Sequence, residues 1–416
     1  MMRRTLLSLL LLMLPMAVLG QTEAVTYQDF DRPPHDYWNK PLKDRFTRLK
    51  QDLETGRLPL DRSSEKAFLQ SLLKALHVPA SSQMLLFSTT SLQLGLINPG
   101  NPRAIYFSED IYLGYIPGGK IEVISLDPEL GGIFYIFNVP RDQQPIKVER
   151  ATRCMNCHAD EETRQVPGLV VKSVVPGPGG GSLTAYRIAQ NGHQIPFSER
   201  FGGWYVTGQN GFTNHWGNVT GRLSPQGLAT FPVEPGKSFN YDKYLIASSD
   251  ILPQLLHEHQ AGFVNRVLEA NYRARTGLFL GNGKLSEDAV KELDAQANEV
   301  VRYMLFADEA ALPAGGIAGE ADFKKDFGNQ ARKAGGISLR DFDLNSRLFK
   351  YRCSYMIYSP VFQGLVPEMK QRIYQRLEKA LSPGAGDKDY AYLPDAEKQA
   401  IRQILKQTVS DLSRSW

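Results

Sequence analysis

The stretch Arg153-Cys154-Met155-Asn156-Cys157-His158 constrains this chain more than any other. Two cysteines three apart, followed at once by a histidine, form the attachment signature of a c-type haem. Each residue type has a chemical job. The two thiols add across the haem vinyl groups as thioethers, and the two residues between them give the reach to span both. The adjacent imidazole then lies under the iron as an axial ligand. With three cysteines and seven histidines in 416 residues, chance is a poor source for this pattern. The plainer readings are half a zinc site or a redox Cys-x-x-Cys. No second Cys-x-x-Cys completes a zinc ribbon, and nothing nearby reads as a thioredoxin strand–helix unit. The residues therefore imply one covalently bound haem c, anchored by Cys154 and Cys157, with His158 on the iron.

The N-terminus points to the same compartment. Residues 1–20 combine a basic tip at Arg3 and Arg4, a short apolar run from Thr5 and small residues before Gln21, the pattern of a cleaved secretory signal peptide. No later stretch approaches the ~20 apolar residues of a membrane-spanning helix. Export and haem attachment agree, because bacteria attach c-type haem outside the cytoplasm, so a periplasmic or secreted bacterial protein is expected. The chain carries 48 basic and 44 acidic residues, and two of the former leave with Arg3 and Arg4. That near-neutral balance gives no reason to expect nucleic acid as a partner. Beyond the motif only Cys353 remains, which excludes a disulfide framework and reads as a buried thiol.

Periodicity divides the rest into an α+β chain. Residues 21–82 read as a proline-broken arm and helix, with His35 expected in solvent and an amphipathic helix over 64–77 capped by Ser63 or Ser64. Residues 83–240 read as the β-rich, haem-bearing region. Five short strands (84–90, 103–107, 111–116, 121–126 and 133–138) predict an antiparallel meander, with further strands after the motif. Residues 241–416 read as helical, with helices expected at 249–275, 286–309, 341–358, 367–381 and 395–413 and a polar crossover over 324–337. The haem motif thus falls in a connection within a mixed scaffold, unlike the N-terminal helix of a plain small cytochrome c. Pro176–Ser182 is glycine-rich but lacks the Gly-Lys-Ser/Thr ending of a phosphate loop and reads as a hairpin turn.

The upper face of the iron needs its own candidates. His215 lies in an aromatic, glycine-rich stretch over 196–222. His259 lies near the centre of the apolar stripe of the 249–275 helix. His257 lies at the flank of that stripe, about 200° away at ~100° per residue, so the two cannot grip one metal. His259 and His215 are accordingly the expected distal ligands, ahead of Met304 and Met356, which sit at core-filling positions.

Several stretches together resemble a group of largely uncharacterised bacterial exported proteins that contain a cytochrome c domain. The resemblance runs from about residue 73 to 412. It rests on Pro102–Phe107, Cys154–His158, Arg200–Asn218, Glu258-His259-Gln260, Tyr303–Glu309, Ser338–Leu344 and Cys353–Ser359. In such proteins the glycine-tryptophan stretch often ends in Thr-His-Gly, where this chain has Gln209-Asn210-Gly211, so a role for that first histidine is lost here; His215 keeps the second. The resemblance implies haem binding and a redox role, and supplies no substrate.

Electron transfer by an exported monohaem protein, to a redox partner protein in the periplasm, is the function expected first. A peroxidase-like haem oxidoreductase with an open distal iron and Arg200 nearby is the alternative, and a haem-based sensor or interaction module a third.

Overall fold

Between residues 84 and 138 apolar and aromatic side chains are frequent enough to bury both faces of the strands they form. The structure is a computed structural model describing residues 25–140, 144–188, 190–208, 211–384, 387–412 and 416, so the signal-peptide reading of residues 1–20 lies outside it. Five strands form as the periodicity predicts: β1 (Met84–Leu86), β2 (Arg103–Phe107), β3 (Ile111–Tyr115), β4 (Lys120–Asp127) and β5 (Gly131–Asn138). They pair antiparallel in chain order, and β6 (Glu149–Arg150) adds to β5. After a separate hairpin of β7 (Ser173–Pro176) and β8 (Ser182–Ile188), the short β9 (Trp204–Tyr205) joins the free edge of β1. The resulting sheet has seven strands in the order β6-β5-β4-β3-β2-β1-β9. A second hairpin, β10 (Val219–Ser224) with β11 (Gly227–Pro232), stands apart from it.

Successive side chains on a strand point to opposite faces, and here each face feeds a different core. Leu85, Phe87, Ala104, Tyr106, Leu113, Val123, Tyr135 and Tyr205 pack towards α1 (Arg45–Glu54) and α2 (Glu65–Ala75). Ser64 caps α2 by accepting from the Ala67 amide, as its sequence position predicts. Met84, Leu86, Ile105, Phe107, Tyr112, Leu126 and Trp204 face the other way, into the core shared with the C-terminal helices.

That second layer is built on α4 (Ile251–Leu280), which follows the single-turn α3 (Met155–His158) in the chain. At 30 residues, α4 is about 45 Å long and is buried along most of its length. Against it and around it lie α5 (Glu287–Met304), α6 (Ala321–Asn329), α7 (Pro360–Gln363), α8 (Pro367–Ala380) and α9 (Asp395–Thr408). The molecule is therefore α+β, with a β-rich N-terminal half and a mostly helical C-terminal half. Among the described residues no helix is long and apolar enough to cross a membrane.

Three local expectations are overturned. His35 is not in solvent: it is fully buried, 3.1 Å from Thr276 Oγ1, with its ring stacked on Tyr272 at 4.3 Å. Residues 341–358 are not one helix. The Asp343 carboxylate accepts from the amides of Asn345 and Ser346, and this local turn diverts the backbone into an irregular loop in which Phe342 bridges Phe349. Part of the 324–337 crossover is helical, because Phe323 and Phe327, one turn apart, anchor α6 to the core.

Candidate haem site

The haem motif follows β6, where the chain leaves the sheet. Cys154 (φ −62°, ψ −28°) already has helical geometry, and α3 carries it through one turn. Residues three and four apart share a helix face, so this spacing places Cys154, Cys157 and His158 on one side. All three line a single cavity of about 360 Å³, within the ~300–1,000 Å³ range usual for cofactor pockets. Its apolar wall comes from Leu92, Val123, Ile124, Phe134 and Val174. Arg103, Arg153, Lys172 and Arg187 bring cationic groups to the same cavity.

His158 is held firmly. Its Nδ1 lies 2.9 Å from the Gly168 carbonyl and its own carbonyl accepts from the Gly168 amide at 2.8 Å. A carbonyl can only accept, so Nδ1 carries the proton and Nε2 keeps the lone pair. This is the outer-shell hydrogen bond that orients metal-ligating imidazoles. Phe134 packs beside the ring, with centroids 4.8 Å apart. Burial lowers the His158 pKa to about 4, so the ring is neutral near pH 7, the form a metal requires. Gly168 is fixed in turn. Asn265 on α4 accepts from the Leu169 amide and donates to the Leu169 carbonyl, each at 2.8 Å, while the Pro167 carbonyl accepts from Gly132 of β5 at 2.8 Å.

The Cys154 thiol fits thioether chemistry better than thiolate chemistry. Cys154, Cys157 and Cys353 are all unpaired. Burial, reinforced by the nearby Glu122 carboxylate, pushes the Cys154 thiol up to about 11. A redox Cys-x-x-Cys does the opposite and stabilises its thiolate. Among the described residues no group of three His, Cys, Asp or Glu side chains could hold a metal ion.

The charged lining has its own logic. Arg103 lies across Gly114 of the neighbouring strand, where a Cβ would meet its Nε at 2.5 Å, and reaches Glu122 at 2.6 Å. Lys172 and Arg187 both pair with Glu162. Arg153 makes no ion pair among the described residues. An acidic cofactor edge, such as haem propionates, would meet complementary charge here.

A smaller cavity of about 70 Å³ shares Thr90, Arg103, Ile124, Cys157, His158 and Lys172 with the larger one and continues it inward between sheet and α4. Its remaining lining includes Tyr112, Trp204 and His257. Neither expected distal ligand lines either cavity. His259 is fully buried towards α5, 2.9 Å from His193 Nδ1 and 2.8 Å from Ser354 Oγ, so both of its nitrogens are engaged. His215 accepts from the Gly217 amide through Nδ1 at 2.9 Å and packs between Phe201 and Phe212. Met304 and Met356 are fully buried in the core. Arg200, considered for an open-iron enzyme, is buried 3.5 Å from Glu258 and donates to the His193 and Ile195 carbonyls. The missed residue is His257. Its flank position is legible in the sequence, but not that this flank faces the sheet.

Compared with protein-family models, curated proteins and solved structures, the chain finds no match in any of the three.

Proposed function

We propose that this chain is an exported monohaem c-type cytochrome that passes electrons to and from a redox partner protein in the bacterial periplasm. One observation carries the reading: two free thiols and the oriented, unprotonated Nε2 of His158 converge on one largely apolar cavity. Haem bound there supplies a one-electron ferric–ferrous couple. Cys154 and Cys157 would anchor it through thioethers, Nε2 of His158 would ligate the iron, and Arg153, the lining cation with no ion pair among the described residues, would meet a propionate. The apolar wall would favour the less charged, reduced state of a haem lying against it. Gly168, Asn265 and the sheet hold the imidazole in place, so little rearrangement accompanies a change of oxidation state. The carrier is favoured over a peroxidase-like enzyme because Arg200, the group considered for charge stabilisation beside iron, is committed to Glu258 and two carbonyls away from the cavity.

The test is expression of the full chain in a bacterium with an export-coupled haem attachment system. Haem staining after denaturing electrophoresis, and the intact mass, are expected to show one covalent haem. Cys154→Ala with Cys157→Ala is expected to abolish it. A soluble exported chain that carries no covalent haem refutes the proposal.

A further inference from the structure

We infer that His257 is the second axial ligand, making the iron six-coordinate between two histidines. The inference rests on the haem reading above and goes further, because it decides what the iron can do. Four observations support it.

First, His257 is on the lining of the cavity that also exposes His158 and Cys157. Among the described residues no histidine besides these two, and no methionine, lines this cavity, and His158 is the one histidine on the larger one. Second, its ring nitrogens have no hydrogen-bond partner among the described residues, although the residue is only 5% exposed. Unlike Nδ1 of His35 and Nε2 of His193, which are unpartnered and sealed in the core, the His257 nitrogens are not sealed off, so they reach the cavity and are free to take a ligand there. Every other histidine with comparable burial has a partner: His35 has Thr276, while His193 and His259 have each other. Third, the alternatives in the small cavity are committed. Tyr112 donates to Gln260 Oε1 at 2.7 Å, and Lys172 pairs with Glu162 at 3.3 Å. Fourth, the ring is confined by Phe107, Tyr112 and Trp204, with centroids at 5.5, 5.5 and 6.3 Å, and it sits on α4, a long buried helix. Ligands on rigid elements are placed more reproducibly than ligands on loops.

The consequence is functional. With both axial sites filled by histidine, peroxide and other small ligands are excluded and the potential lies lower than with a methionine ligand. Asn265 and His257 also stand on the same helix, two turns apart, so one element both orients the lower ligand through Gly168 and supplies the upper one.

Purified, haem-loaded full chain is the material for the test. Its ferric optical and electron paramagnetic resonance spectra are expected to be low-spin and unchanged by cyanide, and the optical spectrum of the reduced protein is expected to be unchanged by carbon monoxide. His257→Ala is expected to lose the low-spin signal, gain a high-spin one and bind both ligands, and added imidazole to restore the low-spin form. His215→Ala is expected to keep the wild-type spectrum. Selective ¹⁵N-histidine labelling of the wild type needs no variant, and is expected to show two iron-coupled histidines by pulsed resonance. A covalent haem with one coupled histidine, or a high-spin wild type, overturns the inference and leaves the haem reading standing. An unaltered spectrum in His257→Ala, or conversion to high spin by His215→Ala, does the same. Absence of covalent haem overturns both.

Discussion

Asn265→Ala tests whether the geometry at His158 is imposed from α4. The amide of Asn265 makes two hydrogen bonds to the backbone of Leu169, both 2.8 Å and both buried. Removing it strands one N–H and one C=O where solvent does not reach. Each unsatisfied group costs about 1–3 kcal/mol, giving roughly 2–6 kcal/mol in all. At about 2.1 cal/mol/K per residue over roughly 380 residues, the unfolding entropy near 60 °C is about 0.8 kcal/mol/K, so Tm should fall by about 3–8 °C. The lower end of that range also implies at least ~30-fold faster hydrogen exchange at the Leu169 amide. In the haem-loaded protein proposed above, the effect should reach the iron. The Gly168 carbonyl that receives Nδ1–H of His158 adjoins Leu169, and loosening that bond makes the imidazole a weaker donor, so the reduction potential should rise. Differential scanning calorimetry, residue-level exchange and a redox titration on the haem-loaded protein measure the three. A Tm within about 1 °C of wild type, with unchanged exchange at Leu169, refutes the reasoning.

Other outcomes follow from buried groups. Burial holds His35 down at about 3 and both His193 and His259 well below 6.5, so the unfolded chain binds protons that the folded chain does not, and these groups lose stability as pH falls below 6.5. Burial holds Glu258 and Glu309 up at about 7 against 4.5 unfolded, so their contribution falls as pH rises from 4.5 to 7. The two sets oppose between 4.5 and 6.5; below 4.5 the glutamates drop out, and carboxyls held low, such as Asp343 and Asp411, lose stability alongside the histidines, against the raised Asp250 alone. Denaturation midpoints should therefore drop more steeply below pH 4.5 than above it, and an even slope from pH 3 to 7 would contradict this. Gly262→Ala places a methyl group against the Tyr303 ring, 2.6 Å from Cζ and 3.0 Å from Gly192 Cα, and should cost about 1–3 kcal/mol in chemical denaturation. Cys353 is fully buried and its thiol pKa is raised by that burial, so maleimide should label it only after unfolding and non-reducing electrophoresis should show no cross-linked dimer.

Local chemistry makes much of this protein legible from sequence. The one-turn spacing of Cys154, Cys157 and His158 already implies a shared face, and the structure places all three on one cavity. The meander is readable because β-branched and aromatic residues recur between turn residues, and each observed strand from β1 to β5 falls within or beside its expected span. Helix caps such as Ser64 are readable for the same reason: a side chain three residues from its amide needs no tertiary partner.

What periodicity does not decide is orientation. Helical phase separates His257 from His259 by about 200°, but an apolar stripe identifies the inward face only when the other face meets water. Residues 251–265 of α4 are buried without interruption, between the sheet on one side and α5 on the other, so both histidines point inward and the stripe does not choose between them. The sheet side has an open cavity, and the α5 side has His193 and Ser354. His35 escapes sequence reasoning for a related cause: its partners, Thr276 and Tyr272, lie some 240 residues away, beyond any local pattern. The motif by itself singles out His158; the packing of α4 against the sheet, which depends on the whole chain, decides that His257 is the imidazole standing in the cavity with it.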